Sequence, residues 1–395
     1  METVDLLSIK KAYELLSPHI HKTPLIYSDS FSRLSGSEVY LKAENLQKTG
    51  SFKVRGAFNK LTRLEPCRVI AASMGNHAQG VAFAAGSLGL KATIVMPSTA
   101  SIIKQEATRG YGAEVILHGE TFQDSLDYAL SRKDYTFIHA FDDEDIIAGQ
   151  GTIGLEIFGA LEDVDAVLAP VGGGGLISGI AVAGKSLSPK TAIIGVQTAS
   201  AVSAYQSFRS GKVVEIIPQP TLADGIAVGK IGTKTFGLIE RYVDDIIKVS
   251  EESIARAVLL FMERKKLVVE GAGAVPLAAL LEPGERLKGK KVVLVVSGGN
   301  IDFTLIDRII HKGLVSSGRI GVLKVIADDM PGNLHRLTGI IAGHGGNILN
   351  VMHDRLDQSM PIGKTMVILA LETRGFAHLR EMEEAIKESG FGIIG

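Results

Sequence analysis

Cysteine is almost missing from this 395-residue chain, with Cys67 the only one. That excludes an intrachain disulfide and any thiolate metal cluster, and it suits a reducing compartment. Neither sign of charge dominates: 42 Lys and Arg stand against 43 Asp and Glu. No block of like charge stands out, so nothing points to nucleic acid or an anionic membrane as a partner. No apolar run approaches the ~20 residues that a membrane-spanning helix needs. The opening METVDLLSIKKAYELL has acidic residues early and reads as an amphipathic helix, not as a signal peptide. What remains is the expectation of a cytoplasmic globular protein. Its 46% apolar residues supply a full core, and its length suits two or three domains of ~100–200 residues.

Glycine, by contrast, is plentiful. The 45 glycines exceed the usual share of ~7% and cluster in a few loops. Through about residue 312, short Val/Ile/Ala-rich runs alternate with helical stretches. Such runs are RVIAAS (68–73), ATIVMP (92–97), AVLAPV (166–171), AIIGVQT (192–198) and KVVLVVSGG (291–299). Continuous apolar runs predict strands buried on both faces, and the alternation predicts parallel-rich open sheets of the α/β class. After the polar stretch HKGLVSSG (311–318) the pattern becomes β-α-β-β-α-β over ~75 residues, the ferredoxin-like plan.

Three Gly-containing turns follow predicted strands, where ligands of parallel sheets bind. VGGGGLISG (171–179) offers uncovered backbone N–H groups at a helix start, a cradle for phosphate. A dinucleotide site would need G-x-G-x-x-G and an acid ~20 residues on. Here Gly172 and Gly174 lead to Ile177, Gly173 and Gly175 lead to Ser178, and the next strand has no carboxylate. A phosphate without a ribose to grip fits better; the bland alternative is a tight βα turn. SMGNHAQG (73–80) brings Ser73, Asn76 and His77 to another helix start, suited either to a carboxylate ligand or to ordinary capping. VVSGGN (295–300) ends an apolar strand on Ser297. TGSFKVRGA (49–57) sets Lys53 between Phe52 and Val54, where apolar neighbours disfavour the ammonium form.

Together HKTPL (21–25), KAENLQKTGSFKVRGA (42–57), SMGNHAQG, GQGTIGLEI (149–157), GGGGLISG and SGGN resemble the threonine dehydratases (threonine ammonia-lyases). These are pyridoxal-phosphate enzymes of fold type II, the tryptophan-synthase-β class. The resemblance runs from about residue 5 to 310. The tail from about 318, with ADDMPGNL (327–334), resembles an ACT domain. The resemblance implies a large catalytic part formed by 1–45 and 143–312, a small catalytic part 46–142, a linker 313–318 and an ACT regulatory domain 319–395.

It also implies roles. Lys53 would hold pyridoxal 5'-phosphate covalently, with Phe52 near the ring, and would then act as general base for the substrate Cα proton. Gly172, Gly173, Gly174, Gly175 and Leu176 would bind the phosphate. Asn76 would meet the ring hydroxyl, Ser297 the pyridine nitrogen, and Glu270 would sit near the ring or simply start a helix. Ser73, Asn76 and His77 would clamp the substrate carboxylate. Asp224 is a candidate cation ligand, though a structural loop acid is the commoner case. The implied reaction is L-threonine to 2-oxobutanoate and ammonia, with L-serine to pyruvate beside it. The tail implies a homotetramer with feedback by a branched-chain or related amino acid, as in isoleucine biosynthesis. Two rivals stay open: a serine racemase of the same fold, and a silent amino-acid sensor. Met74 stands where related racemases carry a serine and dehydratases an alanine.

Overall fold

The computed structural model describes residues 4–282, 286–355 and 360–394, and it divides into two compact units, 1–301 and 302–395. In the first unit, six strands line up in the spatial order Leu25–Tyr27, Glu38–Ala43, Lys291–Val296, Ala166–Pro170, Ala192–Thr198 and Asp245–Val249. All neighbours are parallel except the first pair. Every residue of Ala166–Pro170 is buried, as a strand covered on both faces requires. A second, smaller sheet is wholly parallel, in the order Glu114–Leu117, Lys91–Met96, Arg68–Ala72 and Thr136–Phe137. Its strands all fall between residues 68 and 137, and those of the six-stranded sheet fall on either side of that span.

Packed helices join the parts of this unit. Lys53–Leu61 packs on Asn76–Ser87 and on Glu144–Ala160. The approach is close because glycines face the contacts. A Cβ on Gly80 would lie 3.1 Å from the Lys53 carbonyl carbon, and one on Gly149 would lie 2.7 Å from the Arg55 carbonyl oxygen.

The second unit has the order β-α-β-β-α-β, with Ile320–Asp328, Asn347–Asp354, Lys364–Glu372 and Gly392–Ile394 as strands. The sheet is antiparallel, with the first and third strands central and the second and fourth at the edges. Ile320–Asp328 alternates buried and exposed residues, the pattern of a sheet covered on one face. One expectation needs correcting. The stretch 313–318, read as a linker, includes the last turn of a helix, Phe303–Ser316, and that helix belongs to the second unit. The helix buries Ile306 and Ile309, which lie ahead of HKGLVSSG, so its last turn carries polar and exposed residues that read as a linker. Residues 1–3 of the expected first helix and residue 395 of the tail lie outside the described residues; the helix itself runs Leu6–Leu16.

Candidate active site

Lys53 opens its helix directly after a tight turn in which Gly50 takes φ +69°. Its Nζ lies 5.3 Å from the Phe52 ring centre and donates to the Ala140 carbonyl oxygen at 2.8 Å. Burial pushes the amine down to about 8, against the pull of the Glu270 carboxylate. A free lysine, near ~10.4, carries almost no neutral amine at neutral pH; Lys53 carries a usable fraction.

The next residue after Ala140 connects this amine to the glycine loop. A Cβ on Gly173 would sit 2.3 Å from the Phe141 ring, and one on Gly175 would sit 3.0 Å from the Phe141 carbonyl oxygen. Gly174 has φ +96°, a conformation other residues rarely adopt, and a Cβ there would lie 2.9 Å from Thr235. The loop therefore presses flat against Phe141 and Thr235. Helix Gly175–Leu187 starts there, and among the described residues no side chain caps it. Its first N–H groups keep their unmet hydrogen-bond demand and the positive end of the helix dipole. Phe52 packs in the same apolar cluster as Leu176.

The asparagine loop does not follow the capping alternative. The helix Asn76–Ser87 is capped by Gly75 without a side-chain bond, so Ser73 and Asn76 are not its caps. The Ser73 hydroxyl instead accepts the Gly75 N–H at 3.2 Å. Asn76 Nδ2 donates to both Glu270 oxygens, at 2.8 and 3.0 Å. Glu270 does start a helix, Gly271–Leu280, but its side chain does not cap it. Burial pushes the Glu270 carboxyl up to about 7, with Asn76 opposing and Asp224 adding to the rise. His77 is buried, with Nε2 against the Ile138 carbonyl oxygen at 3.0 Å. Burial and the nearby Lys53 push its imidazole down to about 3, so it is neutral. Whatever His77 contributes to a carboxylate site, a positive charge is not part of it. Ser297 is buried at the end of strand Lys291–Val296, and its carbonyl accepts the Phe52 N–H at 3.0 Å. The lysine turn and this turn are stitched further by a bridge between Ser51 and Gly298.

The family model for "pyridoxal-phosphate dependent enzyme" matches residues 16–298. The chain belongs to that family. Its similarity to an L-threonine ammonia-lyase of Thermotoga maritima is 49% identity over 397 residues, 99% of both chains. The structure of a T.th. threonine deaminase superposes with TM-score 0.72 at 45% identity, covering 76% of this chain and 99% of that one. Maize serine racemase superposes with TM-score 0.74 at 32% identity, over 80% and 99%.

As a pyridoxal-phosphate-dependent enzyme the chain needs an amine for the aldehyde and a cradle for the phosphate. The residues present fit: a lysine of lowered pKa, an uncapped helix start, and one peptide unit between the carbonyl that holds the amine and the ring that backs the loop. Asp224 fits less well as a cation ligand, because it pairs with Lys104 at 3.0 Å. Among the described residues no group of three or more His, Cys, Asp or Glu could hold a metal ion. Met74 is partly buried against the core of the smaller sheet.

Sequence reasoning missed the segment 138–142. Ile138 holds His77, Ala140 holds Lys53, Phe141 backs the glycine loop, and Asp142 accepts the N–H groups of Thr233, Lys234 and Thr235 at 2.9–3.1 Å. Three of these four contacts use backbone atoms or ring faces, which leave no residue-type motif to find. Asn300, the last residue of SGGN, bonds Asn76 through its side chain at 2.8 Å, a contact that its motif does not reveal.

Proposed function

We propose that this protein is a threonine ammonia-lyase, converting L-threonine to 2-oxobutanoate and ammonia, with L-serine to pyruvate as a second reaction. The observation that carries the reading is a partly neutral Lys53 amine beside an uncapped, glycine-lined helix start, in a chain with near full-length likeness to an L-threonine ammonia-lyase. Pyridoxal 5'-phosphate, when bound, supplies the electron sink that makes an amino-acid Cα proton removable. Gly172, Gly173, Gly174, Gly175 and Leu176 offer N–H groups to its phosphate. Lys53 would hold the cofactor, and its Nζ would be the base that takes the Cα proton. The N–H groups at the start of Asn76–Ser87, with Ser73, bind the substrate carboxylate. Ser297 would offer the cofactor a hydrogen bond but no negative charge, so the sink there would be weaker than one with a carboxylate partner.

The C-terminal unit we read as an ACT domain serving feedback by a branched-chain amino acid. Its β-α-β-β-α-β order supports this, as do two turns that would frame an effector pocket, 330–334 and 344–347, with Gly332 at φ +92° and Gly345 at φ +74°. The edge strand Asn347–Asp354 exposes Leu349, Val351 and Met352, which suits pairing between subunits of a homotetramer. Among the described residues no helix is long and apolar enough to cross a membrane.

The test is a product assay. Release of 2-oxobutanoate from L-threonine, slowed by added isoleucine, is the expected result. D-serine formed from L-serine without oxo acid would replace the reading by a racemase. No cofactor absorbance at all would leave the silent-sensor reading.

A further inference from the structure

Three loops from three different parts of the chain meet at one exposed side chain, Asn300. Its Nδ2 donates to the Thr49 carbonyl oxygen at 2.8 Å and to Asn76 Oδ1 at 2.8 Å. Asn76 in turn donates from Nδ2 to both oxygens of Glu270. The chain of bonds thus runs from Thr49 through Asn300 and Asn76 to Glu270. Both of its ends accept only: a backbone carbonyl has no proton to give, and above about pH 7 the ionised Glu270 carboxylate has none either. Two acceptors at the ends dictate the direction of both amides between them. Asn300 must turn its NH2 inward toward Thr49 and Asn76, and Asn76 must then turn its NH2 toward Glu270.

Packing holds Asn300 in that orientation. A Cβ on Gly50 would lie 2.4 Å from Asn300 Oδ1, so the amide packs against a turn that carries no side chain at that point. The same turn is tied to the 298–300 loop by the Gly299 N–H, which donates to the Gly50 carbonyl at 2.9 Å. On the other side, the Glu270 N–H donates to the Gly298 carbonyl at 3.1 Å. A Cβ on Gly298 would stand 2.4 Å from Glu270 Oε1 and 3.2 Å from Asn76 Nδ2. The backbone around Asn300 is therefore fixed relative to both groups it orders.

We propose that Asn300 is a positioning residue, whose amide sets which end of the Asn76 amide is offered to Glu270 and to the cofactor. The inference rests on the reading of the site as a pyridoxal-phosphate centre. An amide without a fixed partner can flip end for end; a flipped Asn76 would point its oxygen at Glu270, acceptor against acceptor, and would lose its donor.

The substitutions that separate this role from mere bulk are Asn300→Asp and Asn300→Ala. Asp has the shape of Asn but, ionised, can only accept. It sets a carboxylate against Thr49 O and Asn76 Oδ1, and it draws Asn76 Nδ2 away from Glu270. Ala removes the donor but leaves Asn76 free to keep Glu270. A bulk-filling role makes Asp the milder change; the polarity role makes it the harsher one. Asn300 is exposed, so both variants should fold, and melts of the cofactor-free proteins check this.

The measurement is the apparent Kd of cofactor-free protein for pyridoxal 5'-phosphate at about pH 8, read by visible absorbance. Ala is expected to weaken binding by roughly threefold and Asp by about tenfold or more. In an Asn76→Ala background the difference between Asp and Ala should shrink to what the Thr49 carbonyl alone contributes, since the amide they compete for is gone. Asp binding as well as Ala or better, or a difference undiminished without Asn76, would overturn the inference while leaving the enzyme reading intact. A wild-type protein that takes up no pyridoxal 5'-phosphate would overturn both.

Discussion

The first unit sets lysine and glutamate together in two places; burial lowers the pKa of both lysines, Lys42 and Lys53, but the glutamates behave in opposite ways. In one, Lys42, Glu44, Arg55 and Glu156 form a closed set with no exposed member. Arg55 grips Glu44 with Nε and Nη2 at 2.8 Å each, and reaches Glu156 with Nη1 at 2.8 Å and Nη2 at 3.0 Å. Lys42 bonds Glu156 and the Thr23 carbonyl, and the Thr23 hydroxyl bonds Glu44. Two positive and two negative charges balance. Burial opposes ionisation of Glu44, but Arg55 and Lys42 outweigh it and hold its carboxyl below the usual range. Burial also opposes the charge on Arg55, and the same carboxylates outweigh it and raise the guanidinium further.

In the other place, Lys53 and Glu270 have no such closure. Lys53 is held by a neutral carbonyl and Glu270 by a neutral amide. Burial wins on both sides, bringing the amine down to about 8 and the carboxyl up to about 7. The same residue types give a rigid strut when closed by an arginine and a reactive, titratable pair when left to neutral partners. The strut also serves the reactive pair. Arg55 lies two residues along the helix from Lys53, nearly on its opposite face, so gripping Arg55 fixes the rotation of the helix that aims Lys53.

The contrast can be broken in graded ways. Lys53→Ala should cause the largest change: the visible absorbance of bound cofactor disappears and threonine turnover falls by ~10⁴-fold or more, measured by oxo-acid release. Arg55→Met should cost stability, not chemistry alone, because it leaves two buried carboxylates, Glu44 and Glu156, with Lys42 as their one remaining cation. A loss of about 3–5 kcal/mol is expected in denaturant unfolding. If Arg55→Met unfolds like the wild type, the strut is no strut.

Glu270→Gln tests the reactive pair by pH. Only the neutral Lys53 amine attacks an aldehyde, so cofactor uptake by cofactor-free protein should rise with pH through about 8. Glu270 raises the Lys53 pKa, so removing its charge should move that midpoint below 8; a midpoint that stays or rises contradicts the coupling. The stability profile should change too. Glu270 binds its proton up to about 7 in the folded state but loses it near 4.5 when unfolded, so wild-type stability falls as pH rises through that window. The Gln variant should lack that decline. Lys104→Ala should have the smallest effect. Its bridge to Asp224 is largely solvent-exposed, so the change in unfolding free energy should stay within ~1 kcal/mol.

Legibility followed the range of the interactions. The Lys53 turn, the four-glycine loop and the Ser297 turn were readable because each packs its chemistry into a few consecutive residues. The parallel and antiparallel halves were readable because burial on two faces or on one leaves different apolar patterns in the strands. The Arg55 set was not, since Lys42 and Glu156 are 114 residues apart and look like ordinary surface charges. The roles of Ala140 and Phe141 were hidden for another reason: a backbone carbonyl and a ring face carry no mark in the sequence.

The amino-acid order alone thus decided the class of sheets, the glycine loop suited to a phosphate and the one lysine set among apolar neighbours, because those depend on local backbone freedom and side-chain periodicity. Which buried glutamate stays ionised, Glu44, and which takes up a proton near neutrality, Glu270, was decided only in three dimensions. Protonation answers to the groups within a few ångströms, and here those groups come from strands, loops and helices far apart in the chain.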